Sequence, residues 1–320
     1  MLTNRSEILF LYDAQWINPN GDPVDENKPR IDEETGRNIV TDVRLKRTIR
    51  DFLHQYKGLE IFIREIVDEK DYIQDAKQRA EDFLIKDGEK LKKEKLTLAE
   101  MKEIINDQVL SSCIDIRLFG VTLPVEKSSK EKSSITHTGP VQFKMGQSLH
   151  RVKMEYIKGT GAFASGSELT QKTFREEYVL PYSLIAFYGI VNEEAAKTTR
   201  LTEEDIDTLL EAMWNGTKSL ISRSKVGQVP RLLLNVVYKE KHFHIGELDK
   251  YLSLKTDKND EELRDVSEFI IDVDRLLEVL NKNKNKIERI DLTLDDRIQL
   301  STDIKNSLQQ AGFSIRELDF

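Results

Sequence analysis

The stretch SEILFLYDAQW (Ser6–Trp16) is a run of apolar and aromatic residues, and the turn-forming sequence Asn-Pro-Asn-Gly-Asp-Pro follows one residue later. This pattern predicts a β-strand closed by a tight turn. From Thr41 onward the apolar residues recur at helical spacing, and Thr41 or Asp42 is suited to cap the helix N-terminus. The strand, the long loop and the helix are the expected start of an α+β fold.

The rest of the chain extends this order. A Lys-rich, charged segment at 68–110 has helical character and predicts an inserted helical lobe, and the low-complexity segment Lys127–Ser134 predicts a flexible loop. A second helix capped by Thr202 is expected. The order strand, helix, strand, strand, helix, strand is ferredoxin-like, which is the frame of RRM-type RNA-binding proteins. Further strands are predicted at Leu59–Val67, Ile135–Gly146, Glu177–Val191 and Arg231–Glu240.

The composition limits the possible classes of protein. The chain has 320 residues, 33% of them charged, and a net charge of −8, which argues against simple coating of nucleic acid by a basic protein. The single cysteine, Cys113, excludes an intrachain disulfide and a cysteine-based zinc site. No apolar run is long enough for a bilayer and no signal-peptide pattern begins the chain, so a cytoplasmic protein is expected.

Positive charge is concentrated in three separate segments. Residues 40–57 hold five basic and two acidic side chains, residues 127–160 hold seven and two, and residues 215–242 hold six and one. If the fold brings these segments together, they form one positive groove in an acidic protein. The alternative is three unrelated solvated surfaces.

The first segment is the predicted helix after Thr41. Its apolar residues form one stripe, and four cations fall outside that stripe. Long cationic side chains spread over a helix face are typical of a phosphate track, although a solvated helix face has the same pattern. The candidate phosphate contacts are Arg44, Lys46, Arg47 and Arg50.

The other two segments supply further candidates for RNA binding. A glycine-rich piece at Lys158–Lys172 carries one aromatic residue, Phe163, which could either wedge between bases or pack into the core. The segment Ser222–Arg231 follows a predicted helix, where basic residues also complement the helix dipole. The candidates in these segments are Gln142, Lys144, Arg151, Lys158, Phe163, Arg223, Ser224 and Lys225.

Signals of an enzyme are weak. The histidines show no metal-ligand spacing, and no P-loop or nucleophile-elbow motif occurs. The one enzymatic candidate is a set of loop carboxylates that could hold magnesium for phosphodiester cleavage, or could simply be solvated. These carboxylates are Asp22, Asp25, Glu26 and Asp32. The sequence therefore predicts a protein without a cofactor or a resident metal.

Several long blocks, in the same order, resemble the backbone subunit of the type I-B CRISPR effector Cascade, which is a member of the seventh Cas family in the RRM-like superfamily. The resemblance covers about residues 5–245. The blocks are NPNGDP followed by DENKPRIDEETGRNIVTDVRLKRTIRDFL, then CIDIRLFG, ITHTGPVQFKMGQSLHRV, KTFREEYVLPYSLIAFYGI and MWNGTKSLISRSKVGQVPRLLLNVVYKE.

This resemblance implies a single RRM-like domain over 1–320, shaped as a right hand. It implies a palm, helical fingers at 68–118, a thumb loop or hairpin at 146–175 and a C-terminal extension at 245–320 packed on the palm. Many copies would line one guide RNA, with other Cascade subunits as partners, and the thumb would displace one nucleotide at regular intervals. The exposed bases would then pair with target DNA in antiviral defence.

The resemblance also assigns roles to individual residues. The cationic first helix would line the RNA path, and Lys46 falls where related subunits carry an RNA-binding lysine. Related subunits of type III systems cut target RNA with an aspartate in the loop after the first strand, and Asp22 lies in that loop here. Type I backbone subunits are not known for this cleavage. The expected function is therefore non-catalytic binding of guide RNA, and the alternative is a metal-dependent ribonuclease that uses Asp22.

Overall fold

The structure is a computed structural model that describes residues 1–67, 71–160 and 174–320. The α-helices of these residues are α1 Asp42–Gln55, α2 Ala76–Glu81, α3 Leu98–Ser112, α4 Ile114–Phe119, α5 Glu193–Thr199, α6 Glu203–Lys218, α7 Asp274–Lys282 and α8 Ile304–Gln310. Short 3₁₀ helices lie at Lys93–Lys95, Leu248–Tyr251, Asp260–Glu262, Val266–Glu268 and Lys284–Lys286. Among the described helices, none combines the length and the apolar character that crossing a membrane requires.

The strands include two very long ones, β1 and β12. The full set in the described residues is β1 Ser6–Ile17, β2 Gly21–Asp22, β3 Lys28–Pro29, β4 Arg37–Val40, β5 Ile85–Lys86, β6 Glu89–Lys90, β7 Gly120–Glu126, β8 Lys132–Thr138, β9 Val141–Phe143, β10 Gly146–Arg151, β11 Glu155–Thr160, β12 Phe174–Val191, β13 Gln228–Tyr238, β14 Ser253–Lys255, β15 Ile270–Asp272, β16 Ile287–Leu294 and β17 Ile315–Glu317.

The chain forms two compact units. The first unit consists of Met1–Arg5, Ile49–Gln142 and Ile190–Met213. The second unit consists of Ser6–Thr48, Phe143–Gly189 and Trp214–Phe320. Each unit is described separately below.

The second unit is built on the large sheet. Its strands follow the order β17-β16-β13-β1-β12-β10-β4. β1 and β13 are antiparallel, with Phe10 opposite Leu233, and β10 and β12 are also antiparallel. Across the middle of the sheet, the strands lie in the order β13, β1, β12, β10. Numbered by their order along the chain, these four strands are 4-1-3-2, which is the split β-α-β arrangement. The expected α+β fold with a ferredoxin-like palm is confirmed.

The core of the second unit lies between this sheet and the C-terminal residues. Leu9 and Leu234 are buried on the sheet, and they belong to the same apolar cluster as Leu276, Leu280 and Ile304 from the C-terminal helices. Burial of apolar surface contributes about 25 cal/mol per Å². Residues 245–320 therefore supply a large part of the stabilisation of this unit.

The first unit has its own apolar core. The hairpin of β7 and β8 pairs antiparallel over seven residue pairs, from Gly120 opposite Thr138 to Glu126 opposite Lys132. Helix α3 packs Met101, Ile105 and Val109 into this core, and Cys113 is fully buried in it. Because Cys113 is buried in this core, the pKa of its thiol is raised.

The strand expected at Leu59–Val67 is wrong. The backbone there is bound by side chains instead of by a neighbouring strand, because the Asp115 carboxylate accepts the N–H groups of Phe62 and Ile63 at 2.9 and 3.1 Å. Arg79 donates to the carbonyl oxygen of Ile61 at 3.0 Å. In this segment only Val67 forms an isolated bridge, opposite Ile73.

The strand expected at Ile135–Gly146 is also wrong, because three strands share this region. β8 ends at Thr138, β9 is Val141–Phe143 and β10 begins at Gly146. The interruption between β8 and β9 falls at Gly139. The chain there passes so close to Phe119 that a Cβ on residue 139 would lie 2.1 Å from the Phe119 backbone carbon. The flexible loop expected at Lys127–Ser134 is shorter than predicted, since β8 begins at Lys132.

Candidate nucleic-acid interface

The loop between β1 and α1 is tied to the start of the helix. The side-chain oxygen Oδ1 of Asn20 accepts both the backbone N–H and the hydroxyl of Thr41, at 2.8 and 2.9 Å. Thr41 Oγ1 in turn accepts the backbone N–H of Arg44 at 3.2 Å, which is the expected N-cap. Asn38 Nδ2 donates to the carbonyl oxygen of Arg30 at 2.8 Å. The acidic loop therefore fixes the first turn of the cationic helix.

Three of the four cations predicted on α1 lie in its first two turns and in the second unit. The guanidinium of Arg44 donates to Thr48 Oγ1 at 3.1 Å, and the Lys46 ammonium is 3.0 Å from the Asp42 carboxylate. Arg47 is exposed. Lys46 keeps only 14% of its side chain exposed, so its charge is directed along the helix toward Asp42.

The fourth cation, Arg50, is predicted from the sequence as a phosphate contact on the face away from the core, but the structure places its side chain against a buried carboxylate. Its Nε donates to the fully buried carboxylate of Asp115 at 3.0 Å, and the guanidinium lies 5.1 Å from the centre of the Phe119 ring. Only 12% of the Arg50 side chain is exposed. The geometry within the first unit makes Arg50 a structural residue.

The segment at 219–227 packs beside the turn that follows β1. The Lys225 ammonium donates to the backbone oxygens of Asn18 and Pro19 at 2.5 and 3.0 Å. Burial, together with the nearby positive charge of Arg44, lowers the pKa of Lys225 to about 8. Lys225 thus binds the third positive segment to the turn after β1 and lies near the charge of Arg44 in the first segment. Ser224 is exposed beside it.

The hairpin of β11 and β12 contacts the same elements. Arg223 pairs with Glu177 on β12 at 2.8 Å. The Tyr178 hydroxyl donates to Glu26 in the acidic loop at 3.0 Å, and this hydrogen bond raises the pKa of Tyr178. The Lys28 ammonium lies 5.3 Å from the centre of the Tyr178 ring.

One of the predicted binding residues belongs to this hairpin. Lys158 lies on β11, and its ammonium is 3.7 Å from the Glu176 carboxylate on β12. Phe163 lies outside the described residues.

These contacts bring parts of all three positive segments together in the second unit. The start of α1, the 219–227 segment and the base of the β11–β12 hairpin all adjoin the loop that follows β1. Exposed ion pairs such as Arg223 with Glu177 contribute about 0–1 kcal/mol each. A phosphate can therefore replace the carboxylate partner with little loss of stability.

The predicted residues Gln142, Lys144 and Arg151 have other partners. Gln142 lies in the first unit and donates to the carbonyl oxygen of Gly139 at 2.9 Å. Lys144 pairs with Glu247 at 2.9 Å, and this carboxylate raises the pKa of Lys144. Arg151 lies 3.7 Å from Glu261. Lys144 and Arg151 are thus paired with acidic residues of the C-terminal part of the chain.

The loop carboxylates are each bound by other side chains, and Asp25 and Glu26 share Lys28. Asp22 pairs with Arg30 at 2.6 Å, and Asp25 pairs with Lys28 at 2.7 Å. The Thr35 hydroxyl binds Asp32 and lowers the pKa of that carboxyl. Within the described residues, Asp22, Asp25, Glu26 and Asp32 belong to no group of three side chains close enough to share a metal ion. The arrangement gives no support to the magnesium-dependent alternative.

Trp16 was not recognised in the sequence as a residue of this surface. It is the last but one residue of β1, 52% of it is exposed, and its φ is 53°. The run of apolar residues around it suggested only a strand. The available signal in the sequence was an aromatic residue two positions before the polar turn.

The fold defines an RRM-like α+β protein, and comparisons with known proteins agree. Residues 4–274 match the family model described as CRISPR-associated protein Cas7. A relative from Haloferax volcanii, also described as CRISPR-associated protein Cas7, is 33% identical over an alignment of 339 positions that covers 99% of this chain and 96% of the relative. The chain belongs to the Cas7 family.

Two solved structures share the fold. One is described as a CRISPR RNA-guided surveillance complex, pre-nicking; its chain matches with a TM-score of 0.57 and 15% identity, covering 98% of this chain and 96% of that chain. The other is described as a CRISPR RNA-guided surveillance complex and matches with a TM-score of 0.53 and 14% identity, covering 98% and 94%.

Proposed function

We propose that this chain is a non-catalytic backbone subunit of a CRISPR surveillance complex that acts in the cytoplasm. Copies of it line up along one guide RNA beside other subunits of the complex. Each copy binds the phosphates of the guide and leaves its bases free to pair with target DNA. Membership of the Cas7 family and the fold shared with chains of RNA-guided surveillance complexes support this function.

The observation that carries the proposal is the meeting of cationic segments in the second unit. Arg44 and Lys225 come from parts of the chain that are far apart in sequence and both adjoin the loop after β1, while Arg223, two residues before Lys225, pairs with Glu177 on β12. Side chains of this kind bind phosphate oxygens whatever the base sequence, so guide sequence would be read by base pairing alone. The acidic remainder of the protein limits binding elsewhere.

The remaining assignments complete the proposal. Residues 68–118 serve as fingers, residues 146–175 as a thumb that includes β11, and residues 245–320 as an extension packed on the palm. Lys46, Arg47 and Lys158 add phosphate contacts to the three cations above. Arg50 is left out, because its guanidinium already serves the buried Asp115 carboxylate.

A salt series tests the proposal. The affinity for two unrelated guide RNAs of equal length should be nearly the same and should fall steeply with salt. Arg223→Ala should weaken binding to both guides and lower the salt slope by about 0.7, the value for one phosphate contact on a single strand.

Arg297→Ala is the matched control. Arg297 is also an exposed arginine of the second unit paired with one carboxylate, since 60% of its side chain is exposed and Asp265 lies 3.0 Å away. It should bind guide RNA as the parent does. A large preference for one guide, or an equal effect of the two substitutions, would contradict the proposal.

A further inference from the structure

Trp16 has a conformation that its own strand does not require. The preceding residues of β1 from Ser6 to Ala14 are all buried, and Ile17 is buried again at 3% exposure. Trp16 adopts a φ of 53°, and 52% of it is exposed. The left-handed region is unfavourable for a bulky side chain, which normally avoids it. The fold therefore holds a large aromatic group toward solvent at a conformational cost.

The backbone on both sides of Trp16 is fixed by the 219–227 segment. The Gln15 N–H donates to the carbonyl oxygen of Gly227 at 3.3 Å. Two residues after Trp16, the Lys225 ammonium binds the backbone oxygens of Asn18 and Pro19 at 2.5 and 3.0 Å. Trp16 thus lies at the end of β1 between two points where the backbone is hydrogen-bonded to the 219–227 segment.

The surroundings of this turn are cationic. Lys225 lies directly beside it, Arg223 is exposed two residues earlier, and the positive charge of Arg44 acts on Lys225. Within the described part of the chain, the indole N–H of Trp16 has no hydrogen-bond partner, and no other aromatic ring stacks on the indole. An accessible aromatic face next to phosphate-binding cations is the arrangement that binds single-stranded nucleic acid.

We propose that the indole of Trp16 stacks on a base of the single-stranded guide RNA, next to the phosphates held by Arg223, Lys225 and Arg44. This deepens the proposed function and rests on it. Stacking accepts every base, because each base has a π face, so the contact adds affinity without adding sequence preference. The 219–227 segment also carries the exposed apolar residues Ile221 and Val226.

Two substitutions separate stacking from folding. Trp16→Asn removes the ring and places a residue that tolerates the left-handed conformation, so thermal stability should be kept or increased. Its affinity for an unstructured single-stranded RNA should fall by about 5- to 150-fold, the range for loss of one base–aromatic stack. Trp16→Phe keeps an aromatic face and should retain most of the affinity. The salt slope should stay the same for both variants, because no phosphate contact is lost.

An abasic RNA of the same length provides the decisive comparison, since it keeps the phosphates and lacks the bases. The parent and Trp16→Asn should bind it equally. Equal affinities of the parent and Trp16→Asn for ordinary RNA would overturn the inference, while a normal effect of Arg223→Ala in the same assay would leave the proposed function standing. Failure of the parent to bind RNA at all would overturn both.

Fluorescence distinguishes RNA from a second copy of the chain. Trp16 and Trp214 are the two tryptophans, and Trp214 is only 4% exposed, so collisional quenching by iodide reports mainly on Trp16. RNA should protect Trp16 from iodide at protein concentrations where the chain is monomeric. Protection that appears on concentrating the protein without RNA would show a protein interface and overturn the inference.

Discussion

Arg50 donates its Nε–H to the buried carboxylate of Asp115 at 3.0 Å, and this ion pair lies in the first unit. Asp115 is fully buried and also accepts the backbone N–H groups of Phe62 and Ile63. Removing one partner of such a pair leaves an uncompensated buried charge, which typically costs about 3–5 kcal/mol. The pair therefore holds α1, α4 and the segment around Phe62 together.

Arg50→Ala should lower the free energy of unfolding by about 3 kcal/mol, at the low end of that range because two backbone donors still bind Asp115. Chemical denaturation of the parent and the variant measures this difference. Arg47→Ala is the control on the same helix, since Arg47 is exposed, and its effect on stability should stay within about 0.5 kcal/mol. Equal denaturation midpoints for Arg50→Ala and the parent would contradict a structural role.

In RNA binding, Arg47→Ala should have the larger effect of these two variants. Arg47→Ala should weaken binding of guide RNA and lower the salt slope by about 0.7, because it removes a proposed phosphate contact. Arg50→Ala, measured at a temperature where it is folded, should bind guide RNA with the parental slope. A lower salt slope for Arg50→Ala than for the parent would show that Arg50 contacts RNA phosphate.

Asp22→Ala tests the ribonuclease alternative. The Asp22 carboxylate is engaged with Arg30 at 2.6 Å and accepts the Val24 N–H at 3.0 Å. The assembled complex should leave a complementary target RNA intact in magnesium, and Asp22→Ala should behave in the same way. Guide binding should be nearly unchanged, since a partly exposed ion pair of this kind contributes about 0–1 kcal/mol to stability. Magnesium-dependent cleavage by the parent that is lost in Asp22→Ala would establish the alternative.

The sequence predicted well those elements whose local residue pattern matches their burial in the fold. The long apolar run of β1 and the N-cap at Thr41 were both expected from residue patterns. The strand expected at Leu59–Val67 failed because its backbone partners are the side chains of Asp115 and Arg79, which lie more than 15 positions away. Periodicity carries no information about such long-range hydrogen bonds.

The candidate site was predicted less completely than the fold. A helical wheel separates apolar from polar positions, and it placed Arg50 with the cations because it cannot show that a buried aspartate lies opposite. Charge counts also included Arg231, which is 3% exposed and paired with Asp13 at 2.7 Å. The meeting of Lys225 with Asn18 depends on the sheet order, and that order cannot be deduced from the spacing of residues.

Gly139→Ala tests the close approach of two chain segments in the first unit. An added Cβ would lie 2.1 Å from the backbone carbon of Phe119, and backbone atoms cannot move aside as a flexible side chain can. The expected loss of stability is about 1–3 kcal/mol or more, as for overpacking in a core. Gly88→Ala is the control, because its φ is +82° but no atom lies within 4 Å of its Cβ. It should lose only about 1 kcal/mol from backbone strain. Equal thermal shifts for the two variants would contradict the steric argument.

Lys225 should make stability depend on pH in the alkaline range. Burial lowers its pKa in the folded protein to about 8, from 10.5 in the unfolded chain. Between these values the unfolded chain binds more protons than the folded protein, so the free energy of unfolding rises with pH. The cost of burying the charged ammonium is present below pH 8 and is relieved by pH 10.5. Each unit of pKa shift corresponds to about 1.4 kcal/mol, so the total is up to about 3 kcal/mol.

Lys225→Met isolates this contribution, because methionine keeps an unbranched side chain and carries no charge. Denaturation of the parent and the variant from pH 7 to 10.5 gives the difference between their unfolding free energies. This difference should move in favour of the parent across the window, since every other titrating group is common to both proteins. Guide RNA should oppose the shift, because a phosphate near Lys225 favours the charged ammonium and raises its pKa. A difference that stays constant with pH would show that Lys225 keeps its ordinary pKa, and that the contact with Asn18 and Pro19 does not desolvate its charge.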